Sequence, residues 1–401
     1  MVKRSNSVGG MQLPLFPVES AWRPPSMSDL PSWKGVKRIG LDTETNDPLL
    51  KTLGIGVRRP CTVAGSGVVG ISFAIEDGPK HYLPIRHQGG DNLPPEQVKA
   101  YLRDQFKHFD GEIVGANLSY DLDYLWEEGI DMPMVRHFRD IQVADPIIHE
   151  LYDNYSLKKI AERHGLPGKN EDMLIAAAQA HGVNPKSDMW KLAARFVGEY
   201  AEDDAANPLA ILRRQERLIS SAGLWDIFNL ESDVLPVLVR MRRRGVLIDQ
   251  DKLAQIEDWS LKEEAKALQS VRDQTGHRID VGNVWKADAL APALEAIGVK
   301  LHKTSTGKPS IDKDMLAAID DPVAKNLAWA RKVNKLRTTF AQSIRTHMVN
   351  GRIHTTFNQI ARETENGDQR GARYGRLSST GPNLQQQPSR DEFADMWRSI
   401  Y

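Results

Sequence analysis

The sequence predicts an α/β fold for the first half of the chain and a mainly helical second half. Three observations carry that expectation. Short apolar runs bounded by turn residues lie within the first 120 positions and alternate with stretches of helical periodicity. Helical patterns dominate from Ile141 to about Ala222, and two long charged helices dominate beyond residue 250. Val36-Lys-Arg-Ile-Gly-Leu-Asp42 reads as a buried strand ending in polar residues. Val68 to Ile75 reads as its neighbour, and after a turn at Asp77-Gly-Pro comes a third strand, His81 to Ile85. Pro95 to Phe109 has the helical period, Glu112 to Ala116 is a short strand, and Ser119 to Glu128 is helical again. Asn229 to Arg244 is amphipathic, with Leu230, Val234, Leu235, Leu238, Val239 and Met241 on its apolar side, and it stops at Gly245 before Val246-Leu-Ile248. Gln250 to about Thr275 and Pro322 to Met348 are the two long helices, which suggests an elongated arm.

At 401 residues the chain exceeds what one core usually organises, so two or three domains are expected. Hydrophobic residues at 40% and charged residues at 26% exclude a disordered or collagen-like chain, and no apolar run is long enough to span a bilayer. The lead from Met1 to about Trp33 is Pro-rich and has no continuous apolar core, so a secretory signal is not expected and a cytoplasmic address is. Cys61 is the sole cysteine, which excludes an intrachain disulfide and thiolate clusters and leaves oxygen or imidazole to hold any metal. Net charge is zero, yet Arg331 to Arg376 holds ten basic residues against the acids Glu363, Glu365 and Asp368. That asymmetry points to a DNA-gripping C-terminal part.

Three acidic motifs stand in order along the α/β half. Asp42-Thr-Glu44 places two carboxylates at i and i+2 of a strand, on one face of the sheet. Such a pair serves either as turn former and cap or as a cation site, since close carboxylates repel without a cation between them. Asn117-Leu-Ser-Tyr-Asp121 opens a helix, where Asn117 reads as a cap and Asp121 either as a first-turn acid or as a ligand. Tyr200-Ala-Glu-Asp-Asp204 puts Tyr200 and Asp204 on one helical face, with Glu202 and Asp203 pointing away, on a helix expected to begin before Lys191. Capping alone does not account for the ordered combination. Phosphodiester hydrolysis does, because two hard divalent cations about 4 Å apart neutralise the transition state, activate water and stabilise the leaving oxygen. Carboxylates are the fitting ligands for Mg²⁺ or Mn²⁺.

With these motifs the sequence resembles the proofreading 3′→5′ exonucleases of the Asp-Glu-Asp-Asp superfamily, in the branch with Tyr in the third motif. A His-branch member would carry histidine where Glu199 stands. The resemblance implies a ribonuclease H-like exonuclease domain, a mixed sheet flanked by helices, over residues 36–224. It implies that Asp42 bridges two divalent cations, Mg²⁺ or Mn²⁺, that Glu44 and Asp204 complete the first site, and that Asp121 holds the second through water. Tyr200 would position the nucleophile, and Thr43 and Asn117 would steady the primer 3′ end.

The second half is similar to family-A DNA polymerases. Arg244-Gly-Val-Leu-Ile-Asp249 resembles their entry to the polymerase domain, and His302 to Ile311 and Lys335-Leu-Arg-Thr-Thr-Phe340 resemble the thumb. Gly351-Arg-Ile-His-Thr-Thr-Phe-Asn358 and Gly375-Arg-Leu-Ser-Ser-Thr-Gly-Pro-Asn-Leu-Gln385 resemble the start of the palm. The implied plan is a lead over 1–35, the exonuclease domain, a thumb-like helical region over 225–348 and the start of a palm over 349–401. Arg376, Ser378, Ser379, Asn383 and Gln385 offer donors suited to sequence-tolerant duplex binding, and they equally suit a polar loop. The resemblance adds Lys335, Thr338 and Thr339 as DNA contacts. The family's polymerase carboxylates, in Asp-Tyr-Ser-x-x-Glu and His-Asp-Glu, are not found in this sequence. The expectation is a DNA-binding exonuclease acting on single strands and duplex ends, with fingers and remaining palm supplied by a second polypeptide. The rival is a non-catalytic primer–template-binding subunit of a split polymerase.

Overall fold

A computed structural model describes residues 18–50, 67–152, 154–305, 307–363, 369–370, 375–390 and 392–401. The start of the Pro-rich lead, Cys61, Glu365, Asp368 and Arg373 lie outside the described residues. The chain divides into two compact units, residues 1–244 with 356–379, and residues 245–355 with 380–401.

The first unit is built on a mixed sheet. Its strands are β1 (Arg38–Asn46), β2 (Gly67–Ile75), β3 (Lys80–Pro84), β4 (Glu112–Gly115) and β5 (His137–Asp140), in the order β3-β2-β1-β4-β5. β1 pairs antiparallel to β2 and parallel to β4. The expected α/β class is therefore present, with two differences. β1 runs on to Asn46, so Asp42 and Glu44 stand inside the strand, and a register shift follows between Glu44 and Thr45. β5 carries no alternation over its four residues and was not expected.

The helices are α1 (Pro95–His108), α2 (Leu118–Glu127), α3 (Ile141–Ile148), α4 (Leu157–Arg163), α5 (Asp172–His181), α6 (Gly198–Ala222) and α7 (Trp225–Arg244). α6 does not start before Lys191; two short 3₁₀ turns precede it, and it begins at Gly198, where a Cβ would lie 2.0 Å from the Trp22 ring. Trp22 Nε1 donates to Glu202 Oε1 at 3.0 Å, so Glu202 anchors the N-terminal segment to α6. Ile39, Leu41, Ile71, Phe73, Leu102, Phe106 and Ile113 fill one core between sheet and helices. On α7, Leu235, Leu238 and Val239 are buried as expected, whereas Leu230 and Met241 are exposed.

The second unit begins with β6 (Val246–Leu247), which pairs β8 (Arg352–Ile353), and β8 in turn pairs β7 (Met348–Val349). α8 (Gln250–Thr275) packs on α11 (Pro322–Lys335), with α9 (Ala287–Ala296) and α10 (Lys313–Ala318) between them in sequence. Asp249 caps α8 by accepting from Lys252 N, and Gly276 ends it at φ 76°. The helix expected from Pro322 to Met348 is interrupted. Leu336–Ala341 is π-helical, and α12 (Gln342–His347) follows. Thr338 Oγ1 donates to Asn334 O at 2.9 Å, a side-chain bond that competes with the α-helical ladder there. The remaining elements are β9 (Thr356–Asn358), β10 (Arg362–Glu363), β11 (Gln369–Arg370), β12 (Ser378–Thr380) and α13 (Ala394–Arg398), with β9 pairing β12 and β10 pairing β11.

Asp321 caps α11 through Val323 N at 2.7 Å, and Pro322 follows at the first helical position. Asp321→Ala is expected to cost about 1 kcal/mol, read as a lowered urea midpoint with unchanged slope.

Candidate metal centre

The period of two along β1 sends Ile39, Leu41 and Thr43 to one face and Gly40, Asp42 and Glu44 to the other. Because Gly40 has no side chain, α6 lies directly against it: a Cβ there would sit 1.8 Å from Ala205 O. That contact brings Asp204, the residue before Ala205, to the strand. One oxygen from each of Asp42, Glu44 and Asp204 falls within 4.8 Å of the others. Asp204 is 5% exposed, and its Oδ1 is buried with no hydrogen-bond partner. An unpartnered buried carboxylate oxygen facing two further carboxylates is costly unless a cation binds there, so the residues present fit a divalent metal.

Asp121, on the first turn of α2, is buried beside them. Its Oδ1 accepts from Thr43 N at 3.0 Å and Thr43 Oγ1 at 2.6 Å. Thr43 thus spends both donors on a carboxylate and is itself buried, which makes it a support for Asp121. Asn117 stands at the start of α2 in the left-handed conformation, φ 69°, without capping the helix through its side chain. That task falls to Asp140, which sequence reasoning missed. Its Oδ2 accepts from Leu118 N at 2.8 Å and its Oδ1 from Gln142 N at 2.8 Å, so one carboxylate caps both α2 and α3.

Electrostatics agree with a cation site. Burial pushes Glu44 up to about 8, with the Asp204 charge adding to it. Burial likewise raises Asp121 to about 7 against the hydrogen bond from Thr43, with Asp140 adding its charge. Asp42 is held well above the usual carboxylate range by burial and then by Asp121, Asp204 and Glu44. Metal-free, these groups hold protons that a cation must displace. Mn²⁺ affinity measured by titration calorimetry is therefore expected to climb as pH rises from about 5 to about 8 and then to level off, with proton release on binding at the low end. The stability sign runs oppositely. Carboxyls raised in the folded state favour folding at low pH, so the metal-free protein loses stability as pH rises from the ordinary carboxyl range near about 4 up to about 7 to 8, and bound metal reverses that trend.

Tyr200 and Asp204 share one face of α6 as the i, i+4 spacing requires. A second residue missed from the sequence joins them. Lys169, between α4 and α5, donates from Nζ to Asp204 Oδ2 at 2.5 Å and to Tyr200 Oη at 3.1 Å.

The expected DNA-contacting residues are distributed over both units. In the second, Lys335 ends α11 with Nζ 5.9 Å from the Phe340 ring, and Thr338 and Thr339 are exposed on the π-helical turn. Lys335 lines a cleft of about 1020 Å³ together with Trp285, Trp329, Lys332, Phe340 and Phe393. Asn383 Oδ1 accepts from Gln385 N at 2.9 Å, and Gln385 is exposed. In the first unit Arg376 is exposed, Ser378 Oγ lies 3.4 Å from Asn358 Nδ2, and Ser379 is buried at 1% exposure, which removes it from the surface where it was expected. The basic excess over 331–376 is also partly internal. Arg331 is buried and donates to Val284 O and Ile311 O, Arg337 pairs with the buried Glu264, and Arg345 pairs with Glu257.

Residues 253–401 match the sequence model of DNA polymerase family A. The match agrees with the polymerase-like motifs at 302–311, 335–340, 351–358 and 375–385. Over 395 residues the chain is 60% identical to a DNA-directed DNA polymerase of Pseudomonas phage M6, a match covering 98% of this chain and 59% of that protein. It is 30% identical over 358 residues to the DNA polymerase DpoZ of Vibrio phage phiVC8, covering 81% of this chain and 53% of that one. DNA polymerase I of Pseudomonas aeruginosa is 27% identical over 348 residues, which are 80% of this chain and 35% of the enzyme. The chain thus spans between half and three fifths of the phage relatives. Among solved structures, the POL domain of Pol1 from M. smegmatis, in complex with DNA primer–template and dNTP, superposes with a TM-score of 0.59 at 18% identity, over 91% of this chain and 55% of that one. At that identity the likeness speaks to the fold. Among the described residues no helix is long and apolar enough to cross a membrane.

Proposed function

We propose that the first unit is a two-metal-ion 3′→5′ exonuclease of ribonuclease H-like type, releasing nucleoside monophosphates from DNA 3′ ends. The observation that carries this is the convergence of Asp42, Glu44 and Asp204 around an unpartnered buried oxygen, with Asp121 beside them. The mixed sheet with flanking helices supports the fold assignment. Asp42, Glu44 and Asp204 would hold one divalent cation, and Asp42 with Asp121 a second. Bound there, such cations supply the charge that makes water nucleophilic and stabilises a leaving 3′ oxygen. The chain's own residues do the rest. Thr43 fixes the rotamer of Asp121 through two hydrogen bonds, and the burial of Asp121 and Asp204 keeps water from screening them. Tyr200 holds the attacking water in line, and Asn117 steadies the terminal nucleotide.

The match of 253–401 to DNA polymerase family A, and the likeness to the DNA-directed DNA polymerase of phage M6, support a place for this exonuclease within a DNA-directed DNA polymerase. In that reading the site proofreads primer ends, and Lys335, Thr338, Thr339, Arg376, Asn383 and Gln385 grip the duplex. In the same reading, fingers and remaining palm are supplied on the same or a second polypeptide. The test follows a 3′-labelled single-stranded oligonucleotide with folded protein in Mg²⁺, with and without EDTA. Stepwise, chelator-sensitive loss of 3′ nucleotides is expected; no metal-dependent release would sink the reading and favour a primer–template-binding subunit.

A further inference from the structure

Lys169 is the one cation within hydrogen-bonding reach of the carboxylate cluster among the described residues, and none of the three acidic motifs contains it. It lies in the irregular segment between α4 and α5, far in sequence from both β1 and α6. Its ammonium has three donors, of which one goes to Asp204 Oδ2 at 2.5 Å and one to Tyr200 Oη at 3.1 Å. The same nitrogen sits 4.8 Å from the centre of the Tyr200 ring, so the phenol is held both at its oxygen and across its face.

Two consequences follow from that geometry. With Oδ2 committed to Lys169, the oxygen of Asp204 left for the cluster is Oδ1, the buried atom without a partner. The carboxylate is therefore divided, one oxygen to the ammonium and one to the cation site, and its rotamer is fixed before any metal arrives. At Tyr200, a donor already fills one lone pair of Oη, which directs the phenol's own proton away from Lys169. A hydroxyl so restrained can donate in one direction only.

We propose that Lys169 is a positioning residue of the exonuclease, which locks Asp204 and Tyr200 in the geometry the reaction needs and does not itself hold metal. This rests on the exonuclease reading above. An ammonium next to Asp204 repels a divalent cation, so its removal relieves a repulsion while it frees the two side chains to rotate. Metal binding and turnover then move in opposite directions, a pattern that simple loss of packing does not produce.

The experiment compares the parent protein with Lys169→Ala and Lys169→Arg in two measurements. One is Mn²⁺ binding by titration calorimetry, and the other is kcat and KM on a 3′-labelled oligonucleotide in Mg²⁺. Lys169→Ala is expected to bind Mn²⁺ at least as tightly as the parent while kcat falls on the order of 10- to 100-fold with KM little changed. Lys169→Arg is expected to recover part of kcat. An active parent with an equally active Lys169→Ala overturns the role of Lys169 alone. Loss of Mn²⁺ affinity together with kcat overturns it too, in favour of plain structural support. A parent that binds Mn²⁺ but releases no nucleotides overturns the exonuclease reading and this role with it.

Discussion

Asp42→Ala is expected to lower Mg²⁺-dependent release of 3′ nucleotides on the order of 10³-fold or more, the largest catalytic effect of any single substitution in the chain. Asp42 faces every other member of the cluster: Asp121, Asp204 and Glu44 all raise its proton affinity. It is the carboxylate both cations would share. Its removal leaves neither site complete, whereas loss of Asp121 would leave the group of Asp42, Glu44 and Asp204 intact. Stability is expected to move the other way. In the metal-free protein Asp42 sits among acids that keep it protonated, so the neutral amide of Asp42→Asn takes its place without lowering the melting temperature. What disappears is the stabilisation by metal, which for the parent amounts to about 2.7 kcal/mol at Mn²⁺ a hundredfold above its dissociation constant. Calorimetric scans with and without Mn²⁺ give both halves of this result. Persistence of the Mn²⁺-induced shift in Asp42→Asn would remove Asp42 from the site.

The parts of this site that were legible in the sequence are those that depend on local periodicity. Asp42 and Glu44 share a face because they are two apart on a strand, and Tyr200 and Asp204 because they are four apart on a helix. The span of α8 is legible as a long charged stretch, and its ends carry the chemical marks of a helix, the Asp249 cap and Gly276. What stayed hidden depends on contacts between distant residues. Lys169 is an isolated lysine in an irregular segment, and Asp140 acquires its capping role only when β5 lies beside β4. β5 itself is four residues long and offers no alternation. The basic excess over 331–376 misled in part for the same reason. A charge count cannot see that Arg337 and Arg345 find their partners 73 and 88 positions away.

Gly40→Ala is expected to be the most damaging single methyl that the first unit can receive near its site. The added carbon would lie 1.8 Å from Ala205 O, 2.9 Å from Ala205 C and 3.3 Å from Leu209 Cδ1. The first two are backbone atoms of α6, so no side-chain rotation relieves the clash. Helix and strand must separate by about 1.5 Å to reach ordinary contact. Overpacking of this kind costs about 1–3 kcal/mol, a fall of several degrees in melting temperature for a unit of this size. The functional effect is larger than the stability effect, because Asp204 precedes the residue that is pushed. A displacement of about 1 Å at a reacting centre is worth on the order of 10²-fold in rate. Gly168→Ala, where a Cβ meets nothing within 4 Å, is the control for stability and should melt with the parent. If Gly40→Ala keeps both the parent's melting temperature and its Mn²⁺ affinity, then α6 does not rest on β1 as described, and Asp204 must reach the carboxylates of β1 by another route.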